Sequence, residues 1–259
     1  MKQAWVNGRF TDRLSPFDAG FQLGVGVFET MGVFAADIPL WTDHLRRLES
    51  GAASLGIEFA APENLREGAE TLLRKHPGDD VLRLLLTAGE GGRPTWCMTT
   101  RARGESPATL RLYPSTYRRH ESDPVASLKS SSYAFHYLAR REAIAAGCDD
   151  ALVLGDGDRV LETTTGNLFF TVDGVLCTPR LNGTFLPGVG RGALIRHLKD
   201  IGVVVEESDY TLADIRECVA IFTTNAVFGP RPAVLSSGAA GPLSPEVSTA
   251  WDRAVGTDD

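Results

Sequence analysis

The chain of 259 residues is 43% hydrophobic and 23% charged, with a formal net charge of −7. That length can bury a large core, as one big domain or two smaller ones, and the acidic balance argues against nucleic acid or an anionic membrane surface as partner. Cys97, Cys148, Cys177 and Cys218 show no C-x-x-C spacing, so free thiols are expected, with no disulfide framework and no metal site. The opening MKQAWVNGRF lacks the apolar core of a signal peptide, and no apolar run approaches the ~20 residues of a membrane span, so a cytoplasmic location is expected.

Taken in order, residues 3–6 and 9–10, split by Asn7-Gly8, predict a hairpin. SPFDAGFQLG reads as a loop, GVGVFETMGVF (24–34) as a strand, and Ile38 to Trp41 as the start of another. Thr42 or Asp43 is the predicted cap of a helix reaching Leu55, with Leu45, Leu48, Ala52 and Leu55 on one face. A second helix is predicted over 62–75, then strands over 81–89 and 108–115. The polar, proline-ended STYRRHESDP predicts a boundary at 116–123, between an N-terminal α/β domain (1–115) and a C-terminal domain (124–259). In the second domain a strand at 125–129 and a helix at about 133–146 lead to strands at 151–154, 159–162, 167–172 and 175–177. A helix follows Pro187-Gly188, then strands at 203–209 and 219–224, and a last helix near 244–254 beyond the short SSGAAG.

Chemistry concentrates around one lysine. The chain has four, Lys2, Lys75, Lys129 and Lys199, and only Lys129 stands at a predicted strand-to-helix junction, where a partly desolvated amine would have a lowered pKa and a free lone pair. Tyr133 follows four residues later, about one helical turn on and on the same face. Gly188-Val189-Gly190-Arg191 opens a helix whose first N–H groups and dipole suit an anion. His136 reads as a structural residue on a helix face.

Downstream of Lys129, Glu162 opens E-T-T-T-G-N-L-F-F, followed by L-C-T (176–178) and L-P-G-V-G-R (186–191). This resembles the signature of the class IV aminotransferases, the pyridoxal 5′-phosphate (PLP) enzymes of fold type IV, and the likeness covers nearly the whole chain. The resemblance implies an α/β fold of two α/β domains with the cofactor at their interface. It implies a homodimer acting on a small-molecule substrate, and Lys129 as the residue covalently linked to PLP. It implies that Glu162 faces the pyridine nitrogen and Tyr133 the phenolic oxygen. The phosphate would be held by the Val189 and Gly190 amides, by Arg47 in H-L-R-R-L, and by Thr224 or Asn225 in FTTNAVFG. For substrate it points to Phe28 and Thr30 in GVGVFET, to Arg93 in GEGGR (89–93) and to Ala226. Val25 and Gly190 depart from the family pattern, which more often has an acidic residue and a hydroxyl or other side chain there.

The family spans branched-chain and D-amino-acid aminotransferases and aminodeoxychorismate lyase. Thr224-Asn225-Ala226, with Gly229 and Pro232, resembles the lyases, as does GEGGR. The sequence reading is therefore a lyase that releases pyruvate and 4-aminobenzoate for folate synthesis. The alternatives are an aminotransferase of the same fold and a non-catalytic PLP-binding protein.

Overall fold

A computed structural model describes residues 2–216, 218, 220–235 and 241–257. The chain forms two compact units, one of residues 1–104 and 128–132, the other of residues 105–127 and 133–259. The boundary expected at 116–123 falls inside the second unit. The reason is that the strand expected to end the first domain pairs with the second sheet.

The first unit is a five-stranded antiparallel sheet in the order β2-β1-β5-β4-β3. Its strands are β1 (Ala4–Val6), β2 (Arg9–Thr11), β3 (Gly26–Gly32), β4 (Val81–Glu90) and β5 (Arg93–Arg101). Asn7 and Gly8 both have positive φ, as a two-residue hairpin turn requires. Helices α2 (Trp41–Ser54) and α3 (Leu65–Lys75) bury Leu48, Ala52, Leu65 and Leu72 with Trp5, Val27, Met31 and Leu84 in one apolar core. The expected loop at 15–24 contains a one-turn helix, α1 (Ala19–Leu23), because the Asp18 side chain accepts from the Gly20 N–H and Gly24 closes it in the left-handed conformation. Residues 38–41 form no strand. The chain turns through left-handed Leu40 straight into α2, which places Thr42 and Asp43 inside the helix rather than at its cap. β5 is absent from the sequence reading, and its Pro94 is a residue that ordinarily interrupts a strand. It lies opposite the bulge between Thr87 and Glu90, where the ladder is already interrupted.

The second unit is an eight-stranded mixed sheet in the order β11-β10-β9-β12-β13-β6-β7-β8, with β8 also paired to β9. Its strands are β6 (Leu110–Arg118), β7 (Asp150–Leu154), β8 (Val160–Thr163), β9 (Asn167–Val172), β10 (Val175–Pro179), β11 (Val205–Ser208), β12 (Ala220–Asn225) and β13 (Gly229–Leu235). Its helices are α4 (Ala134–Ala145), α5 (Val189–Asp200), α6 (Leu212–Arg216) and α7 (Pro245–Val255). The additional pairing, Glu162 opposite Asn167, closes a ring of six strands. The prolines of β13 precede Ala233, where pairing with β6 begins, so their missing N–H groups interrupt no ladder on that side. Residues 125–129 are turns, not a strand. Val219 of the expected 219–224 strand, and residues 236–240 of the SSGAAG run, lie outside the described residues. Among the described residues no helix is long and apolar enough to cross a membrane.

Candidate active site

In the first unit, alternation along β3 puts Val27, Glu29 and Met31 on the face packed with α2, and Phe28 and Thr30 on the other. A carboxylate in that core needs partners, and α2 supplies them from one face, with His44 and Arg47 three residues apart. Glu29 accepts from Arg47 Nε at 2.8 Å and Nη2 at 2.5 Å, and stands 2.6 Å from His44 Nδ1. Burial alone would raise its pKa, but the Arg47 guanidinium and the two hydrogen-bonding partners outweigh it and hold the carboxyl at about 2. His44 is pushed below its usual range, first by burial and further by the charges of Arg47 and Lys129, against the pull of Glu29.

Lys129 is tied to this cluster by backbone pairing. The Phe28 N–H donates to the Lys129 carbonyl at 2.9 Å, the Ser131 N–H donates to Gly26, and Val27 and Ser130 form an antiparallel bridge. Residues 129–132 are therefore not helical, and the expected one-turn relation of Lys129 to Tyr133 does not apply. Lys129 Nζ lies 4.8 Å from the centre of the Phe28 ring. Arg83 of β4 lies over the same ring at 3.8 Å. Arg83 stands opposite Thr30 in the register, so Phe28, Thr30, Arg83 and the Lys129 amine gather around one sheet face. The sequence reading passed over Arg83 because VLRLLL reads as a buried run. Its signal was a lone cation interrupting apolar alternation. Arg93 is exposed at the β4–β5 hairpin, and its side chain makes no hydrogen bond or ion pair among the described residues.

In the second unit, the signature segment is bound into its turn by its own side chains. Thr163 Oγ1 donates to the Gly166 carbonyl, and Thr164 and Thr165 hydroxyls both donate to buried Asp150. Asn167 Nδ2 donates to Leu186 O at 2.9 Å, which pins the loop entering α5. Gly188 is required there, because a Cβ would stand 1.8 Å from Asn167 Oδ1. Glu162 is buried, and His136 Nε2 lies 3.5 Å from its Oε1. Tyr133 is the N-cap residue of α4, with its hydroxyl donating to Thr164 O at 2.7 Å.

The start of α5 has the features of an anion cradle. Its N-cap, Gly188, provides no side chain to satisfy the first amides, those of Val189 and Gly190 among them. A Cβ on Gly190 would crowd Asn225 and Trp251 at 3.3 and 3.4 Å, so the helix start is packed close against the end of β12. There Thr224 is buried, and its Oγ1 has no hydrogen-bond partner among the described residues. Asn225 is engaged locally. Its Oδ1 accepts from the Val227 and Phe228 amides, and its Nδ2 donates to Thr165 O. Of the two expected phosphate ligands, the structure thus leaves the Thr224 hydroxyl as the side chain in want of a partner. Ala226 is half-buried beside it. An unpartnered hydroxyl, helix-start amides with no side-chain cap and a glycine closely packed against the end of β12 fit a phosphate group.

The amino-transferase class IV family model matches residues 26–235, and the chain belongs to that family. A protein of Methanocaldococcus jannaschii provisionally named a branched-chain-amino-acid aminotransferase is 31% identical over 240 residues, 85% of this chain and 83% of its own. The crystal structure of 4-amino-4-deoxychorismate lyase from Pseudomonas aeruginosa superposes with a TM-score of 0.82 at 30% identity, covering 96% of this chain and 97% of that one. A branched-chain amino acid aminotransferase from T.th., complexed with N-(5′-phosphopyridoxyl)-L-glutamate, superposes with a TM-score of 0.87 at 25% identity, covering 99% and 95%. The fold is that of the fold type IV enzymes, the cofactor is PLP, and the protein is an enzyme acting on a small molecule.

Proposed function

We propose that the enzyme is an aminodeoxychorismate lyase, converting 4-amino-4-deoxychorismate to 4-aminobenzoate and pyruvate. The observation that carries this reading is the Arg83 guanidinium over the Phe28 ring, a cation on the sheet face that also borders Lys129. A cyclic substrate with two carboxylates calls for such a face. The run Thr224-Asn225-Ala226 with Gly229 and Pro232 supports the same reading.

When bound, PLP supplies an electron sink for the electron pair left at the carbon bearing the substrate's nitrogen. The chain's residues do the rest. Lys129 is the residue that would hold the cofactor covalently, and its Nζ would take the proton from that carbon. The Glu162 carboxylate keeps a proton on the ring nitrogen. The Val189 and Gly190 amides and the Thr224 hydroxyl would hold the phosphate, and Arg47, the further phosphate ligand in this reading, is held in place by Glu29 and His44. Asn225 contributes through the turn it builds, and Tyr133 through the contact of its hydroxyl with the signature turn, from which it serves the phenolic oxygen. Phe28, Thr30 and Ala226 shape the substrate site, and Arg83 or Arg93 meets a carboxylate. The C–O bond to the side chain breaks, the ring becomes aromatic, and the departing enolpyruvate is protonated on carbon to give pyruvate. Atoms balance without water or an oxidant.

The homodimer and the cytoplasmic location belong to the same proposal. Large apolar side chains exposed close together in the sequence of the first unit, Leu14, Phe17, Phe21 and Leu23, support the dimer, since exposed apolar surface is found at interfaces.

The second reading is an aminotransferase, favoured by the likeness to the Methanocaldococcus jannaschii protein. In that case a keto acid leaves and the amino group stays with the cofactor. A paired assay decides between them. Pyruvate release from aminodeoxychorismate, exceeding keto-acid formation from L-leucine and D-alanine, is expected. Fast keto-acid formation with no pyruvate overturns the lyase reading. Glu162→Gln should retain PLP and lose roughly 10²–10³ in kcat, in line with other lost electrostatic stabilisation. Turnover within twofold of the parent would remove Glu162 from the ring nitrogen.

A further inference from the structure

Sequence alone made His136 a structural residue of an amphipathic helix, and the structure gives it a more particular place. It stands in the first turn of α4, three residues from Tyr133, so both rings project on the same side of the helix. They stack at 4.9 Å between centroids and 15° between planes. Phe135 meets the imidazole edge-on at 5.6 Å and packs with Val153, Leu161 and Phe185. The Tyr133 hydroxyl is anchored on Thr164 O, two residues beyond Glu162 in the signature segment. The imidazole is thus held by an aromatic neighbour on its face and another at its edge, with its side chain only 15% exposed. A solvated surface histidine has none of these restraints. Its Nε2 faces Glu162 Oε1 at 3.5 Å, and the carboxylate side chain is itself 5% exposed. His136 is the one ionisable partner of Glu162 found among the described residues.

We propose that His136 is a positioning residue for Glu162. With its proton on Nε2 the imidazole would donate to Oε1 and fix the rotation of the carboxylate, so that the same oxygen is presented to the ring nitrogen of PLP. This rests on the assignment of Glu162 to that nitrogen. Physically, a carboxylate in a mostly apolar setting turns freely about its last bond unless one oxygen is engaged, because that torsion is broad. A donor on a stacked, pre-ordered ring removes that freedom at little further entropic cost. The separation is longer than a fully formed hydrogen bond, and holo enzymes commonly tighten such contacts when the site fills.

The test compares His136→Phe, which keeps an aromatic ring against Tyr133 but has no donor, with His136→Gln, whose amide can reach the position of Nε2. Both are made in the parent and in Glu162→Gln. Two quantities are read: the dissociation constant of PLP, from fluorescence or absorbance titration of apoenzyme, and kcat and KM. His136→Phe should weaken PLP binding and lower kcat about tenfold each, the lower range for a hydrogen bond to a charged group, with KM within twofold. His136→Gln should recover most of that loss. In the Glu162→Gln background, His136→Phe should have no further effect on PLP binding, since the two act as one unit. Equal losses in His136→Phe and His136→Gln, or additive losses with Glu162→Gln, mean that the ring only packs, and overturn the proposal. A parental His136→Phe overturns it too while Glu162→Gln remains impaired, which leaves the Glu162 assignment standing. A parental Glu162→Gln sinks the Glu162 assignment first and the His136 proposal with it.

Discussion

The two units handle buried polarity in opposite ways. In the first, the buried Glu29 carboxylate has its partners, His44 and Arg47, inside the same unit. In the second, the start of α5 and the Thr224 hydroxyl are polar groups without partners among the described residues. A satisfied buried network stabilises the fold and aims a side chain. An unsatisfied one costs stability until something binds it. The difference separates residues that hold the machinery from residues that wait for a ligand, and mutations should pull the two apart.

The largest expected effect is at Lys129, which lies beside the first cluster and carries the cofactor in the proposed reading. Lys129→Ala should lose covalent PLP and roughly 10³-fold or more of kcat, because nucleophile and proton acceptor disappear together. Borohydride reduction of the parent, followed by peptide mapping, should place the pyridoxyl group on Lys129. A label on Lys75 or Lys199 would overturn the site.

Next comes Glu29→Gln. It leaves Arg47 and His44 buried beside a neutral amide, and breaking a buried charge pair in this way destabilises by about 3–5 kcal/mol. Urea unfolding of apoenzyme measures it. A loss below about 1 kcal/mol would mean the cluster is not the closed network its distances describe.

Thr224→Val should do the reverse in the other unit. Removing an unpartnered buried hydroxyl leaves apoenzyme unchanged or stabilises it by up to about 1 kcal/mol, while PLP binding weakens about tenfold. Apoenzyme destabilised as much as by a core cavity, with PLP affinity unaltered, would take Thr224 out of the phosphate site.

The smallest effect is the pH dependence of apoenzyme stability. Both titrating groups of the first cluster have folded pKa values below their usual ones, His44 below 6.5 and Glu29 at about 2 against 4.5. On acidification the unfolded chain therefore takes up protons first, and stability must fall. The His44 contribution starts to be lost as pH drops below 6.5, and that of Glu29 as pH drops from 4.5 towards 2. His44→Gln should flatten the upper limb and leave the lower one. A parent whose stability rises as pH is lowered from 6.5 to about 5 would contradict the cluster.

Much of this was legible in one dimension. The Glu162-to-Arg191 signature, the helix after Gly188 and most strands could be read directly, because periodicity, turn glycines and motif spacing are local properties of the chain. Other features needed the third dimension. β5 and β13 carry prolines that only the pairing of neighbouring strands makes harmless. β6 joined the second sheet rather than the first, since strand partners are chosen by packing between distant segments. Local sequence also could not say that Arg47 forks onto Glu29, that Arg83 lies over Phe28, that Asn225 is engaged in its own turn while Thr224 is not, or that His136 faces Glu162. The contacts of Arg47, Arg83 and His136 join residues far apart in the chain, and burial and hydrogen-bond satisfaction, on which Thr224 and Asn225 differ, become defined only once the elements have packed.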